Sequence, residues 1–173
     1  MGSWNGTPRT WTAGDFVRVY QLNTELRDRL RSLRGLNDAA VKLSVADINP
    51  KIQTSEKSIA DFEAADWQTG AMWVSGSAVA IPYTGLYLLA GRGVWPSGIV
   101  AGVRRIGVRF NESTDTWLDS KRGLATNSTN CRFYMEYELT AGETAELIIW
   151  QNTGQDLELS RAEFIVRFLG LTS

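Results

Sequence analysis

The stretch PYTGLYLLAGRGVW (residues 82–95) decides the fold class of this chain. It begins at a proline, turns at Thr84-Gly85 and then runs apolar to Trp95, with a second proline directly after it. Two sets of residues alternate along the run: Leu86, Leu88 and Ala90 in one set, and Tyr87, Leu89 and Gly91 in the other. The stretch is too short and too rich in glycine for a buried helix, and no helix cap precedes it. Apolar residues on both faces therefore predict a core strand that is covered on both sides.

The rest of the C-terminal portion continues with the same two-residue period. Within residues 104–111, for example, Ile106, Val108 and Phe110 alternate with basic residues and a glycine. Three further stretches are similar, at residues 132–139, 145–151 and 162–169, and turn residues separate them. Short strands at regular spacing predict a mainly β fold. We expect an antiparallel sandwich or jelly roll at residues 51–173.

The beginning of the chain has a helical pattern instead. Four leucines follow one another at steps of four, four and three residues: Leu22, Leu26, Leu30 and Leu33. This spacing predicts a short amphipathic α-helix at residues 19–35, which Gly35 ends. A helix of this length is marginal alone, so its apolar stripe must pack on its own domain, on its copies or on a partner. Residues 36–50 are then predicted to be a linker.

An extended arm, residues 1–18, precedes the predicted helix and carries aromatic residues among small and polar ones. Aromatic rings on a polar arm are costly to expose, and such arms commonly fold on binding with the rings as anchors. The alternative is an arm that packs against its own domain. We expect the arm and helix to attach the protein to a partner. The predicted anchoring residues are Trp4, Trp11, Phe16, Leu22, Leu26, Leu30 and Leu33.

Composition argues against several functional classes. The formal net charge of -1 lacks the basic excess of a nucleic-acid-binding protein. The chain has no histidine and one cysteine, Cys131, so we expect neither an internal disulfide nor a metal site of thiolates or imidazoles. No window approaches the ~20 apolar residues of a membrane span, and no signal-peptide pattern opens the chain. We expect a protein made in a reducing cytoplasm, without a cofactor and without membrane insertion.

Catalysis is not expected either. Without histidine the chain can form no Ser-His-Asp or Cys-His arrangement. Glu136 and Glu138 share one face of a predicted strand, as paired carboxylates of glycosidases sometimes do. The same spacing is also that of an ordinary polar row on the solvent side of a strand. We therefore predict a protein that is not an enzyme and has no catalytic residues.

Several motifs resemble those of the tumour-necrosis-factor and complement C1q type of jelly roll. The segment PYTGLY (residues 82–87) is similar to the P-x-x-G-x-Y strand that leads into the core in that family. The segment LTAGE (residues 139–143) is similar to the L-x-x-G-D/E turn before a strand, and residues 164–170 are similar to the last strand. The resemblance implies a homotrimer in which three jelly rolls pack side by side around a threefold axis.

The N-terminal segment carries a second resemblance. The segment RTWTAGD (residues 9–15), followed by Gln21-Leu22-Asn23 and Arg27-Asp28, resembles the start of small virion proteins of tailed phages of actinobacteria. Residues 66–73 are similar to a D-x-x-G-M stretch of that group, with Ala71 inserted here. In such proteins a helix precedes a jelly roll of this kind.

The two resemblances together imply a virion protein made in the host cytoplasm. The leading hypothesis is a trimeric decoration knob, a minor capsid protein attached by its arm and helix to the major capsid protein. A tail or baseplate knob that binds a host receptor or glycan is the alternative, with Trp95 and Trp117 as surface-binding residues in exposed loops. A glycan-cleaving enzyme on the same fold is the third hypothesis. The sequence has no shaft or collagen-like repeat of the kind that tail fibres carry, which favours the capsid.

Overall fold

The computed structural model describes residues 39–52, 57–73, 75–98, 101–123 and 126–171, and for residues 46–51 it describes the backbone alone. All of these residues belong to one compact unit, Ala39–Ser173. The predicted arm and helix, with their seven anchoring residues, lie outside the described residues. Within the described part the chain contains no helix, and hence none that is long and apolar enough to cross a membrane.

Within the described ranges, ten strands form two antiparallel sheets that pack face to face. They are β1 (Ala40–Ile52), β2 (Lys57–Ile59), β3 (Ala65–Thr69), β4 (Ala78–Ala80), β5 (Gly85–Trp95), β6 (Val103–Phe110), β7 (Thr114–Arg122), β8 (Thr129–Leu139), β9 (Thr144–Gln151) and β10 (Leu157–Gly170). One sheet has the order β3-β1-β10-β5-β8 and is called the β10 sheet below. The other has the order β2-β9-β6-β7, with β4 also paired to β9, and is called the β9 sheet. The predicted antiparallel jelly-roll sandwich is confirmed.

The decisive stretch forms β5, between β10 and β8. Tyr87, Leu89 and Trp95 on one face of the strand are fully buried against the β9 sheet, as the two-residue period predicts. On the other face Leu86 and Leu88 are only half-buried. The prediction of a strand covered on both sides therefore holds for one face only within the described part of this chain.

In the PYTGLY motif, one side chain holds the segment before β5 in place by hydrogen bonds. The buried Tyr87 hydroxyl donates a hydrogen bond to the Tyr83 carbonyl at 2.7 Å, and the Tyr83 amide donates to the same hydroxyl at 3.3 Å. Phe168 packs on both tyrosine rings, with centroid distances of 5.7 and 5.1 Å. Position 85 must be glycine because a Cβ there would collide with the Gly170 carbonyl oxygen. The motif thus joins β5 to the last strand.

The LTAGE motif is a turn held by its glutamate. Glu143 accepts a hydrogen bond from the Thr140 amide at 2.6 Å and another from the Asn111 side-chain amide at 2.9 Å. Gly142 has a φ of 92°, a left-handed conformation that glycine adopts without strain. The glutamate therefore fixes the β8–β9 turn and ties it to the β6–β7 turn.

The domain begins earlier than predicted. Residues 40–50, assigned to a linker from the sequence, form most of β1, which lies between β3 and β10. Val41 and Leu43 of this strand are fully buried in the core. The alternation of Val41, Leu43 and Val45 with polar residues was a period-2 signal, and the boundary at residue 51 is wrong for this reason.

Candidate functional site

The structure separates the two predicted surface-binding tryptophans. Trp95 is fully buried, so its assignment as an exposed binding residue is wrong. It is the last residue of β5 and stays in phase with the core-facing Tyr87 and Leu89. Trp117 is 36% exposed, and it lies within strand β7 rather than in a loop.

The groups considered for catalysis are exposed or inert. Glu136 and Glu138 both point outward from β8, as a polar row does, and both are exposed. Cys131 is buried, and burial raises the pKa of its thiol to about 12, far from that of a reactive thiolate. Within the described residues no three Cys, Asp or Glu side chains are grouped to hold a metal ion.

The outer face of the β10 sheet carries an apolar stripe along its middle. We call the stripe the association face and define it by Leu86, Leu88, Ala90, Tyr134 and Ile165, which point away from the core on β5, β8 and β10. Tyr134 is 76% exposed, and the two leucines and the isoleucine are half-buried. A depression of about 190 Å³ lies beside the tyrosine, with Ala90, Gly91 and Ile165 in its wall.

Charged residues border the association face on both sides. Next to Ala90 and Ile165, Arg92 and Glu163 form an ion pair at 3.4 Å. Lys42 and Arg161 also contact Glu163.

One register step further along the association face, at the level of Leu88, Arg167 lies on β10 and Glu136 on β8. Both side chains are exposed, and neither has an ion-pair partner within the described ranges. The β8 side of the face is therefore acidic and the β10 side basic at this level.

The outer face of the β9 sheet carries a different cluster. We call it the Trp117 patch and define it by Arg105, Trp117, Ser120 and Trp150, which the register places on adjacent strands. The Arg105 guanidinium lies over the Trp150 ring, 4.9 Å from its centroid. A shallow depression of about 250 Å³ is lined by Arg105, Trp117, Leu118, Asp119 and Ser120. Opposite Trp117 on β6 is Gly107, so the residue that directly faces the indole on that strand has no side chain.

The free edges of the two sheets meet beside this patch and are joined by two side chains of β7. Asp119 accepts a hydrogen bond from the Arg132 amide of β8 at 2.8 Å. Lys121 donates to the Asn130 carbonyl at 2.6 Å. These bonds occupy backbone groups at the edge of β8 that could otherwise pair with another chain. The patch therefore lies beside the C-terminal part of β7, which these two bonds hold against β8.

Three of the exposed residues are not identified as surface sites from the sequence. The two-residue period of the stretches at residues 104–111 and 132–139 gives Arg105 and Tyr134 outward positions, but it does not by itself identify a surface site. Trp67, 46% exposed on the edge strand β3, was also missed. An aromatic or arginine at an outward position of a regular strand was the available signal, because such residues are enriched at binding surfaces.

No protein-family model matches the chain, and no curated protein is similar to it in sequence. Solved structures are similar to it in fold. The globular domain of zebrafish complement 1qA matches with a TM-score of 0.57 and 11% identity, over 78% of this chain and 99% of that one. Murine APRIL at pH 5.0 matches with a TM-score of 0.51 and 14% identity, over 75% and 99% of the two chains. The described domain is therefore a jelly roll of the tumour-necrosis-factor and C1q type.

Proposed function

We propose that this protein is a non-enzymatic virion structural protein, a homotrimeric knob that decorates a phage capsid. The observation that carries the self-association is the association face, where Tyr134 is 76% exposed beside half-buried Leu86, Leu88 and Ile165. A contiguous apolar stripe of this kind on the middle of a sheet is typical of a protein interface. In this proposal a second copy of the chain covers the half-buried outer face of β5.

The charges around the association face favour contact between the β8 side of one copy and the β10 side of the next copy. Glu136 on the β8 side of one copy would meet Arg167 on the β10 side of the next, because both are exposed at the level of Leu88. A contact between two different sides of one surface closes into a ring when the rotation is right. A homotrimer is the ring that the resemblance to the tumour-necrosis-factor and C1q jelly roll implies.

Light scattering coupled to size exclusion tests the self-association. The wild type should have the mass of three chains, and Tyr134→Arg should have the mass of one. Trp117→Arg is the matched control, because it places the same charge at an exposed aromatic on the other sheet and should leave the trimer intact. A monomeric wild type at micromolar concentration, or a trimeric Tyr134→Arg, would contradict the proposal.

A charge exchange provides a second test of the same contact. Arg167→Glu alone and Glu136→Arg alone should weaken the trimer by placing like charges together. The double variant should restore it. If the double variant dissociates as much as the sum of the single variants, these residues do not face each other between copies.

The capsid role is supported by the resemblance of residues 9–28 to phage virion proteins, and attachment is assigned to the arm and helix. A protein that binds the assembled shell but not its free subunits stabilises the shell by mass action. Particles that lack the protein should assemble normally but lose DNA at a lower temperature, while adsorption to cells is unchanged. Electron microscopy with a labelled antibody would give the position on the particle.

Variants of the arm test the attachment separately from the assembly. Trp11→Ala combined with Phe16→Ala should leave the trimer folded but reduce its co-sedimentation with particles, since each buried aromatic anchor typically contributes ~2 kcal/mol or more. Trp67→Ala is the control, because this exposed tryptophan belongs to the jelly roll. Equal co-sedimentation of the arm variant and the wild type would show that the arm is not the anchor.

The tail or baseplate knob is kept as the second candidate because Trp117 is exposed and lies in a depression of the β9 sheet. In that case, loss of the protein should abolish adsorption and leave the heat stability of the particles unchanged. The two candidates therefore give opposite results in the same pair of assays.

A further inference from the structure

We propose that the Trp117 patch binds one carboxylate-bearing sugar residue of an acidic glycan. This inference concerns the face of the β9 sheet and does not depend on where the knob is attached to the virion. The indole of Trp117 provides a flat apolar surface that is partly open to solvent. A pyranose ring, whose two faces are rich in C–H groups, fits such a surface, while its hydroxyls need polar groups at the rim.

Arg105 provides the polar recognition. Its guanidinium is held over Trp150 at 4.9 Å, so its orientation is largely fixed before a ligand arrives. Fixing the donor in advance reduces the entropy lost on binding. The planar fork of an arginine matches the two oxygens of a carboxylate. The hydroxyl-bearing Ser120 lies opposite Arg105 on β7 and completes the rim.

The local charge favours an anion. Within the described residues, Arg105 and its neighbour on the same face, Arg122, have no carboxylate partner. The two carboxylates of β7 are already engaged. Asp115 pairs with Lys57 at 2.7 Å. Asp119 lines the depression, but its carboxylate accepts the Arg132 amide and lies 3.4 Å from Lys121. Arg105 lines the depression and is thus left to pair with an anionic ligand, and Arg122 adds positive charge on the same face.

The size of the depression favours a single sugar over a protein partner. Its volume of about 250 Å³ lies just below the roughly 300–1,000 Å³ of pockets for drug-sized ligands. A stable protein interface buries about 800 Å² on each partner and needs several exposed apolar residues. In the described part of this face, Trp117 is the only large apolar side chain that is at least 36% exposed. The patch therefore suits one ring of a glycan chain.

Titration with paired oligosaccharides tests the proposal. The probes are uronate- and sialate-bearing oligosaccharides, each with its methyl-esterified, neutral counterpart, and binding is measured by calorimetry at low and high salt. At least one acidic member should bind ten times more tightly than its ester, and added salt should weaken that binding. Trp117→Ala and Arg105→Ala should each reduce the affinity ten-fold or more, while Arg105→Lys should retain an intermediate part of it.

Two variants on the other sheet are the controls. Trp67→Ala removes an exposed tryptophan and Arg161→Ala an exposed arginine, and neither should change the affinity. Thermal unfolding identifies any variant that has lost its fold, and Trp117→Phe provides a milder change at the same site. The proposal is wrong if no oligosaccharide binds at millimolar concentration, if esters bind as well as acids, or if Trp117→Ala binds like the wild type. It is equally wrong if the patch variants lose binding of a virion or host protein while no sugar binds.

Discussion

Replacing Tyr87 by phenylalanine tests the physical basis of the motif that decides the fold. The substitution removes one buried hydroxyl, which donates to the Tyr83 carbonyl at 2.7 Å and accepts from the Tyr83 amide at 3.3 Å. The ring remains, with its edge contact to Phe168 at 5.1 Å. The measured loss of stability should therefore report the hydrogen bonds and not the packing.

The magnitude follows from the backbone groups that lose their partner. A buried polar group without its hydrogen bond costs about 1–3 kcal/mol, and the net contribution of one bond is about 1 kcal/mol. We expect Tyr87→Phe to lower the free energy of unfolding by about 1–2 kcal/mol, which corresponds to a decrease in Tm of roughly 3–8 °C. Urea unfolding at one fixed protein concentration is the assay, because association contributes to the apparent stability.

The pH dependence of the same variant provides an independent check. Burial raises the pKa of the Tyr87 hydroxyl above its ordinary value of 10. The unfolded chain therefore releases this proton at a lower pH than the folded chain does. The stabilisation from this shift is complete below pH 10 and is lost as the pH rises through the folded pKa. The stability difference between wild type and Tyr87→Phe should shrink over that alkaline range.

Tyr134→Phe is the control for the hydroxyl deletion, since its hydroxyl belongs to a 76% exposed side chain. It should change the free energy of unfolding of the monomeric form by less than ~0.5 kcal/mol. A Tyr87→Phe protein that unfolds within ~0.5 kcal/mol of the wild type at neutral pH would show that these two hydrogen bonds do not stabilise the fold. The motif would then act through ring packing alone.

Two substitutions and one labelling experiment test other buried or paired groups. Glu146→Ala removes the partner of the nearly buried Arg109 and should lower the free energy of unfolding by about 3 kcal/mol in urea titrations. Asp66→Asn should lower the Tm modestly at neutral pH, because a hydrogen bond from Ser44 lowers the pKa of Asp66. The difference in Tm between the variant and the wild type should vanish as the pH falls through that lowered pKa. Cys131 should react with a thiol reagent only after unfolding, because it is buried and its pKa is about 12.

Much of the sandwich was predictable because half-buried strands have a two-residue period. The stretches predicted at residues 82–95, 104–111, 132–139, 145–151 and 162–169 correspond to β5, β6, β8, β9 and β10. Strand β7 was not predicted because its residues, TDTWLDSKR, are mostly polar on both faces. It is an edge strand, paired only with β6, and an edge strand needs fewer apolar contacts than a central one.

The error at Trp95 has a simple physical origin. Pro96-Ser97-Gly98 follows it directly, and the prediction of an exposed loop at these turn residues includes the tryptophan before them. Trp95 is an even number of residues from Tyr87, so the strand period places it on the core face. The alternation along a strand was therefore a better guide to burial than the proximity of a turn.

The association face shows what a single sequence leaves undetermined. Leu86 and Leu88 are apolar, and the alternation correctly gives them one shared face. Periodicity cannot distinguish cover by another part of the same chain from cover by a second copy, since both remove the same apolar surface from water. The orientation of Arg105 is not predictable from periodicity either. It depends on Trp150, which is 45 positions away in the sequence and lies beside Arg105 because of the β6–β9 register.

The two proposed surfaces lie on opposite faces of the sandwich, and this separation leads to a combined prediction. Assembly through the association face of the β10 sheet leaves the Trp117 patch of the β9 sheet open, so one trimer presents three patches. Linked weak sites bind a polymer 10²–10⁴-fold more tightly than one site does. The monomeric variant Tyr134→Arg should bind a short acidic oligosaccharide with the affinity of the wild type, yet bind a surface coated with the polysaccharide at least a hundred-fold less tightly. Equal binding of trimer and monomer to that surface would show that the three patches do not act together, even if each patch binds its sugar.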